Sequence, residues 1–180
     1  MTIIKTGWCK VTIKFEVAKG YEGKDINLPK RSTKFSAGYD FEVAEDVIIP
    51  AYNPKQEDLR REYDGDGYKP IISVGTYVHT GVKAKMPENM FLSLYARSSL
   101  YNKKGLIFAN AVGIIDSDYY GNPKNDGEIL FNLINLGRDD IILKKGERIG
   151  QGIFTQFHIT DDDNAEGERV GGLGSTGGHN

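Results

Sequence analysis

Hydrophobic and polar residues alternate in the first clearly patterned segment of the chain. Val11, Ile13, Phe15 and Val17 are separated by polar residues, a period of two that is typical of a strand with one buried face. Later apolar segments are short and are bounded by Gly, Asn, Asp or Pro, as strands usually are. No segment has the long 3.6-residue period of helices that cover a parallel sheet, so the pattern predicts an all-β barrel or sandwich. Further strands are expected within residues 46–49, 71–82, 90–95, 128–136, 140–143 and 148–157.

Two short helices are expected between these strands. Asn53 can cap the first, and Gln56 is placed to reach back to that cap. We interpret this helix as a surface excursion. The second is expected over residues 98–104, with Ser98 as its N-cap and Gly105 just after its end.

Composition limits the classes of function. The length of 180 residues suits one domain, and 22 glycines indicate many tight turns. The 23 basic and 25 acidic side chains give a net charge of −2, which argues against stable nucleic-acid binding. Cys9, the single cysteine, fits a reducing cytoplasm. Since no apolar run approaches the roughly 18 residues that cross a bilayer, and residues 1–10 lack a signal-peptide core, we expect a cytoplasmic protein without membrane contact.

The chain changes character near its C-terminus. Residues 161–163 are acidic, and glycine-rich sequence follows. We expect residues 1–160 to form the β domain and residues 161–180 to form a flexible arm.

The arm carries a group of anion-binding residue types. Residues 169–177 combine Arg169, Ser175 and Thr176 with four glycines, whose backbone N–H groups can surround a phosphate. A mobile terminus is the commoner explanation for such a segment alone. The spacing is not that of a P-loop.

Two internal segments add further polar chemistry. Arg97, Ser98 and Ser99 stand where the second helix is expected to begin, so a guanidinium and exposed backbone N–H groups can bind an anion there. A capping role explains Ser98 equally well. Asp116 and Asp118 end an apolar segment, where carboxylates could activate water or hold a divalent metal. A charged turn is the commoner explanation for either one alone.

These segments, in this order, resemble the trimeric dUTPase family. Any one match would be weak, but the ordered set of five motifs spans nearly the whole chain and is specific. The matching segments are residues 28–29 with 37–40, then 97–99, 113–121, 146–151 and 169–177.

The resemblance implies a fold, an assembly and a reaction. The fold is a jelly-roll-like β-barrel, and the assembly is a homotrimer in which the C-terminal arm of one subunit closes a neighbouring active site. The reaction is the hydrolysis of dUTP to dUMP and pyrophosphate, with Mg²⁺ on the triphosphate. It keeps uracil out of DNA and supplies dUMP for thymidylate synthesis.

The resemblance also implies roles for single residues. Asp116 matches the carboxylate that activates water, and Asn110 matches the amide that reads uracil. Tyr119 matches the ring that packs under deoxyribose and excludes a 2′-hydroxyl. Ile114 and Ile115 offer backbone groups to the base.

The remaining matches concern the phosphates, the metal and the lid. Asp40 matches a carboxylate that meets the metal through water. The resemblance also implies that Leu130 would line the sugar pocket and that Leu173 would cover the base. The phosphate contacts are expected from Arg97, Ser98, Ser99, Gln151, Arg169, Ser175 and Thr176.

The chain departs from the family pattern at several positions. Ala96 and Ser99 replace the usual Pro and Gly of the second motif, and Gly150 replaces the usual alanine of the fourth. The fifth motif is one residue shorter than usual and has Leu173 where the family has an aromatic ring. A leucine can cover the base but cannot stack on it.

Two other functions remain open from the sequence. A related dCTP deaminase shares the fold, but that enzyme needs a glutamate at the position of Asn132. A regulatory module on the same scaffold would bind a protein partner through residues 51–70. This segment and residues 123–127 are insertions relative to the usual pattern, and both fall at expected turns.

Overall fold

The computed structural model describes residues 12–51, 75–167, 169 and 171, together with the backbone of residues 62–63 and 68–69. The helix expected from Asn53 lies outside the described residues, as do Leu173, Ser175 and Thr176.

Strands dominate the described part of the chain, which confirms the all-β prediction. One helix, Ser98–Lys104 (α1), and one 3₁₀ turn, Ser117–Tyr119, accompany them. The strands are Lys14–Val17 (β1), Lys30–Arg31 (β2), Tyr39–Glu42 (β3), Val47–Ile49 (β4), Glu62–Tyr63 (β5), Tyr68–Lys69 (β6), Thr76–His79 (β7), Val82–Lys85 (β8), Met90–Ala96 (β9), Leu106–Phe108 (β10), Gly113–Asp116 (β11), Leu130–Asn135 (β12), Ile141–Leu143 (β13) and Arg148–Gln156 (β14).

The strands form antiparallel sheets that enclose the core. The largest has the order β11-β9-β14-β3-β2, and a second has the order β10-β12-β7. The pairs β1-β8, β13-β4 and β5-β6 complete the set. On β12 buried and half-buried residues alternate, as expected for a strand with one face on the core.

Aromatic side chains join the two larger sheets. Phe41 on β3 and Phe131 on β12 are almost fully buried, and their ring centroids lie 5.6 Å apart. Phe108 on β10 packs against the same Phe131 ring at 5.0 Å. Burying a side chain of this size contributes about 1.5–3 kcal/mol, so these rings fix one sheet against the other.

The predicted strand over residues 71–82 is wrong in extent. The chain turns at Thr80 and Gly81, which separate β7 from β8. The Thr80 hydroxyl donates to the backbone oxygen of Ile129 at 2.6 Å, and Gly81 adopts a positive φ of 66°. A side-chain hydrogen bond and a left-handed residue thus interrupt an otherwise apolar, strand-like segment.

The predicted helix over residues 98–104 is confirmed, and so is its glycine end. Gly105 has φ 64° and donates its N–H to the carbonyl of Tyr101 at 2.8 Å. The predicted N-cap is wrong. Arg97 occupies the cap position with extended backbone angles and no side-chain cap bond, because the chain leaves β9 at that residue. Ser98 is therefore the first helical residue.

Candidate active site

Asp40 is the centre of a charged cluster at one end of the largest sheet. Its carboxylate accepts hydrogen bonds from Ser32 Oγ at 2.7 Å and from Arg148 Nη1 at 3.1 Å, and it lies 3.1 Å from Arg97 Nε. Only 13% of the Asp40 side chain is exposed. The ion pair of Asp40 with Arg97 is mostly withdrawn from water, so Asp40 holds the Arg97 guanidinium in place.

Gln151 joins this cluster through the sheet. It pairs with Asp40 between β14 and β3 and with Tyr95 between β14 and β9. Gly38 makes room for its amide, because a Cβ at Gly38 would lie 3.0 Å from Gln151 Cδ and closer still to its Oε1. The glycine of the first motif thus sets the position of the glutamine of the fourth.

The two serines of the second motif adjoin Arg97 at the start of α1. Ser98 is exposed and Ser99 is half-buried. We call Asp40, Arg97, Ser98, Ser99 and Gln151 the arginine cluster. The structure brings together the residues that the sequence predicted for the phosphates and the metal, apart from those on the arm.

Packing explains why position 150 is a glycine. A Cβ at this position would lie 2.7 Å from Cζ of Phe131, inside the van der Waals distance. The Phe131 ring therefore excludes the alanine that the family usually has here.

The Asp40 carboxylate has few free acceptor positions. A carboxylate offers about four lone-pair positions, and three donors already surround this one. About one acceptor position is left for a further donor, such as a metal-bound water. Within the described ranges, no three His, Cys, Asp or Glu side chains are arranged to hold a metal ion.

A second group of predicted residues lies at the end of β11. Asp116 immediately precedes the 3₁₀ turn and Asp118 lies within it, and half of each side chain is exposed. Both carboxylates bind Arg169: its Nε donates to Asp118 Oδ1 at 2.7 Å, and its Nη2 donates to Asp116 Oδ2. The arm therefore reaches the predicted water-activating carboxylate of its own chain.

Tyr119 forms the buried wall of this group. The residue is 3% exposed, and its hydroxyl accepts a hydrogen bond from Asn125 Nδ2 at 2.8 Å. The Arg169 guanidinium carbon lies 5.8 Å from the ring centroid. Burial raises the pKa of Tyr119 above its usual value. We call Asp116, Asp118, Tyr119 and Arg169 the aspartate cluster.

The residues predicted for the base and sugar adjoin the aspartate cluster in sequence. Asn110 is exposed in the turn before β11, where its carbonyl accepts the Val112 N–H at 2.6 Å. β11 is an edge strand in the described sheet, so part of its backbone is open on the outer side. Ile114 points outward and Ile115 is buried. Leu130, which is half-buried, begins β12.

The arginine cluster and the aspartate cluster are not brought together. Asp116 pairs with Phe91 near the start of β9, whereas Arg97 follows Ala96 at its end. Positions 91 and 97 are six residues apart, which at 3.3 Å per residue is about 20 Å along the strand. One chain therefore presents two separate halves of the predicted site.

Sequence reasoning gave no role to Arg148, Asn122 and Asn125, which contact members of these clusters. Arg148 lies within a matched motif, so it could have been found. Asn122 and Asn125 lie in or beside the 123–127 insertion, where no motif points to them. The Asn122 amide donates to the carbonyl of Gly171 at 2.8 Å, a contact 49 residues away in sequence.

No helix formed by the described residues is long and apolar enough to cross a membrane.

Comparisons with known proteins agree with this geometry. The sequence model of the dUTPase family matches residues 68–177. The deoxyuridine 5′-triphosphate nucleotidohydrolase of Lactococcus lactis subsp. lactis (strain IL1403) is 42% identical over 165 residues, covering 91% of this chain and 96% of the relative. Its counterpart in Desulfitobacterium hafniense (strain DSM 10664 / DCB-2) is 33% identical over 172 residues, covering 92% and 97%.

A solved structure shares the fold. The crystal structure of dUTPase from Streptococcus mutans superposes with a TM-score of 0.66 at 38% sequence identity, covering 82% of this chain and 98% of that one. The expected jelly-roll-like fold is thereby confirmed. The family match covers more than half of the chain, and the relatives are similar over nearly their full length. The chain therefore belongs to the dUTPase family.

Proposed function

We propose that this protein hydrolyses dUTP to dUMP and pyrophosphate, with Asp116 as the general base. The observation that carries the proposal is that the half-exposed carboxylate of Asp116 is followed, three positions later in the sequence, by the buried ring of Tyr119. Asp116 is open to a water molecule, and Tyr119 is held by Asn125 as a rigid wall. Water activation and sugar selection thus occur on one short segment.

The chemical step follows from these roles. Asp116 accepts a proton as the water oxygen attacks the α-phosphorus, and the bond from that phosphorus to the bridging oxygen breaks. Pyrophosphate leaves and dUMP remains. Tyr119 leaves no room for a 2′-hydroxyl, and the Asn110 amide both donates to and accepts from uracil.

Arg169 has to change partner during this reaction. Its guanidinium binds Asp116 and Asp118 in the structure, and this contact occupies Oδ2 of the carboxylate that would take a proton from water. A bound triphosphate offers Arg169 a partner of higher charge. We therefore assign Arg169 to the terminal phosphate in the substrate complex, which releases Asp116 for catalysis.

The other phosphate contacts come from the arginine cluster. Arg97, fixed by Asp40, supplies a guanidinium, and Ser98, Ser99 and Gln151 supply neutral hydrogen bonds. Ser175 and Thr176 of the arm add contacts, and Leu173 covers the base.

A divalent metal is expected with this substrate, and we propose Mg²⁺. It would be held mainly by the triphosphate, with Asp40 contacting one of its waters. The ion would neutralise charge on the phosphates.

The proposal requires more than one chain at each active site. The two clusters lie about 20 Å apart on one chain, which is too far for one nucleotide to touch both. We propose a homotrimer in which the arginine cluster of one subunit faces the aspartate cluster of a neighbour. The arm of a subunit closes a neighbouring active site. A single chain offers Arg169 only its own Asp116; in the proposed trimer the arm of a neighbouring subunit would bring its Arg169 to this carboxylate.

A deaminase would need a carboxylate where this chain has Asn132. Asn132 lies on β12 opposite Tyr77, and an amide at that position cannot serve as the general acid or base of deamination.

The proposed hydrolysis removes dUTP, keeps uracil out of DNA and supplies dUMP for thymidylate synthesis in the cytoplasm.

The direct test is to compare the hydrolysis of four nucleotides. Pyrophosphate release from dUTP, dCTP, dTTP and UTP is measured with Mg²⁺, with ammonia followed in parallel. We expect rapid release from dUTP alone. Ammonia from dCTP would reassign the protein as a deaminase, and inactivity on all four would favour a regulatory protein-binding role.

A further inference from the structure

The segment 122–128 forms a closed loop between Tyr119 and β12. Its backbone hydrogen bonds run from Asp126 N–H to the Asn122 carbonyl at 2.7 Å and from Gly121 N–H to the Asp126 carbonyl at 3.2 Å. Gly127 has φ 78°, and a Cβ there would lie 3.0 Å from the nitrogen of Gly121 and closer still to the carbonyl oxygen of Tyr119. The loop is therefore packed directly onto the backbone of the aspartate cluster.

Charged contacts anchor the loop to the rest of the barrel. Lys83 Nζ donates to Asp126 Oδ2 at 2.5 Å, and the Lys19 backbone N–H donates to the same oxygen at 2.8 Å. Neither contact belongs to the proposed catalytic machinery. An insertion with such anchors is a fixed element.

Asn125 uses its whole amide to join Tyr119 to the loop. Its Nδ2 donates to the Tyr119 hydroxyl at 2.8 Å and to the Glu128 carbonyl at 3.2 Å. Its Oδ1 accepts the Gly127 N–H at 3.2 Å. The amide therefore has one orientation, and Tyr119 has one position relative to the loop.

Asn122 contacts the arm from the same loop. The residue is 3% exposed, its Nδ2 donates to the Gly171 carbonyl at 2.8 Å, and its Oδ1 accepts the Lys124 N–H at 3.0 Å. Gly171 lies two residues beyond Arg169. A buried side-chain amide thus binds the backbone of the arm beside its arginine.

We propose that the 122–128 loop is a specificity-determining element, in which Asn125 positions Tyr119 against the deoxyribose and Asn122 positions the arm. Tyr119 can exclude a 2′-hydroxyl only if the ring resists displacement, and a buried hydrogen bond supplies that resistance. The inference rests on the proposed function, since it concerns the choice between 2′-deoxynucleotides and ribonucleotides at the same site. Asn125 and Asn122 act through other residues and are positioning residues.

The sugar part is tested by a double-mutant cycle on Asn125 and Tyr119. kcat/KM is measured for dUTP and UTP with wild type, Asn125→Ala, Tyr119→Phe and the double variant, and Lys124→Ala serves as the exposed control in the same loop. We expect Asn125→Ala to lower the dUTP/UTP ratio about tenfold, because a buried hydroxyl loses its partner. The same substitution should have little effect on the ratio once Tyr119→Phe has removed that hydroxyl.

An unchanged ratio in Asn125→Ala, or an equal fall in the Tyr119→Phe background, would overturn the sugar part. If Asn125→Ala does not fold, Tyr119→Phe alone removes the same hydrogen bond and should itself lower the ratio. Wild-type activity on dUTP in the same assay tests the proposed function separately.

The arm part is tested with Asn122→Asp, which keeps the shape and the acceptor for Lys124 N–H but loses the donor to Gly171. We expect kcat for dUTP to fall in the full chain and to be unaffected by this substitution in a chain lacking residues 164–180. A fall of equal size in both chains would show that Asn122 acts on the loop alone. Unchanged activity in the full chain would overturn the arm contact.

Discussion

Arg97 and Asp116 lie at opposite ends of strand β9. Arg97 follows the last residue of β9. Asp116, on the neighbouring strand β11, pairs with Phe91 near the first residue of β9. The two residues with the clearest chemical roles are therefore about 20 Å apart on one chain. This separation is the structural reason for proposing an active site that two chains complete.

Asp116→Asn tests the general base. The amide has nearly the same shape but cannot take a proton from water, so we expect kcat to fall by about 10²–10⁴-fold with dUTP affinity mostly kept. Asp118→Asn is the matched control, since Asp118 binds the same arginine and has no proposed proton transfer. Equal effects of the two substitutions in steady-state kinetics would remove the special role of Asp116.

Gly150→Ala tests whether the Phe131 ring excludes a side chain at position 150. The added Cβ would overlap the buried Phe131 ring, so we expect the free energy of unfolding to fall by about 1–3 kcal/mol. Gly167→Ala is the control, because nothing lies within 4 Å of a Cβ at that position. Urea denaturation measures both, and an unaltered midpoint for Gly150→Ala would refute the overlap.

Deleting residues 164–180 tests the arm. We expect the truncated chain to keep its assembly state in size-exclusion chromatography and its melting temperature, because glycine-rich sequence adds little to a core. Turnover of dUTP should fall steeply, since Arg169, Ser175 and Thr176 are lost. Full activity of the truncated chain would remove the arm from the mechanism.

Leu173→Phe tests the departure in the fifth motif. An aromatic ring over uracil would add stacking of about 1–3 kcal/mol, so we expect tighter binding of dUTP in calorimetry. Weaker binding would show that the shorter arm takes another path.

Acid should release the 122–128 loop from its anchor. Burial raises the pKa of Asp126, but the hydrogen bonds from Lys83 and the Lys19 N–H outweigh it, and the net pKa lies below the usual value. A carboxyl whose pKa is lowered by folding stabilises the fold above its unfolded pKa of about 3.9, and this contribution is lost as pH falls through the folded value. We expect the wild-type protein to melt at a higher temperature than Asp126→Asn between about pH 5 and 8, and the difference to shrink progressively as the pH falls below about 4. A difference that persists unchanged in stronger acid would contradict the anchor.

Local patterns predicted the elements that local physics determines. The alternation in β12, the helix over residues 98–104 and its end at Gly105 all depend on neighbouring residues, and the structure has them. Ser98 was wrongly expected to cap α1, because the bend out of β9 places Arg97 there. The break at Thr80 depends on the carbonyl of Ile129, 49 residues away, and no local pattern reveals it.

The site was predictable to the extent that its residues lie in ordered motifs. Asp40, Arg97 and Gln151 come from three separate motifs and meet in one cluster. Asn122 and Asn125 lie in or beside an insertion that no motif covers, and their partners become visible only when the chain is folded. The distance between the two clusters depends on the register of β9 with β11, which residue identity alone does not give.

Mixing two inactive variants tests the shared site most directly. Arg97→Ala and Asp116→Asn are purified separately, unfolded and refolded together, and pyrophosphate release from dUTP is compared with each variant refolded alone. We expect each alone to be nearly inactive and the mixture to recover part of the wild-type rate, because an intact Arg97 from one chain can face an intact Asp116 from another. A control chain that carries both substitutions should not complement either variant. A mixture that assembles as wild type does and remains inactive would contradict an active site built from two chains.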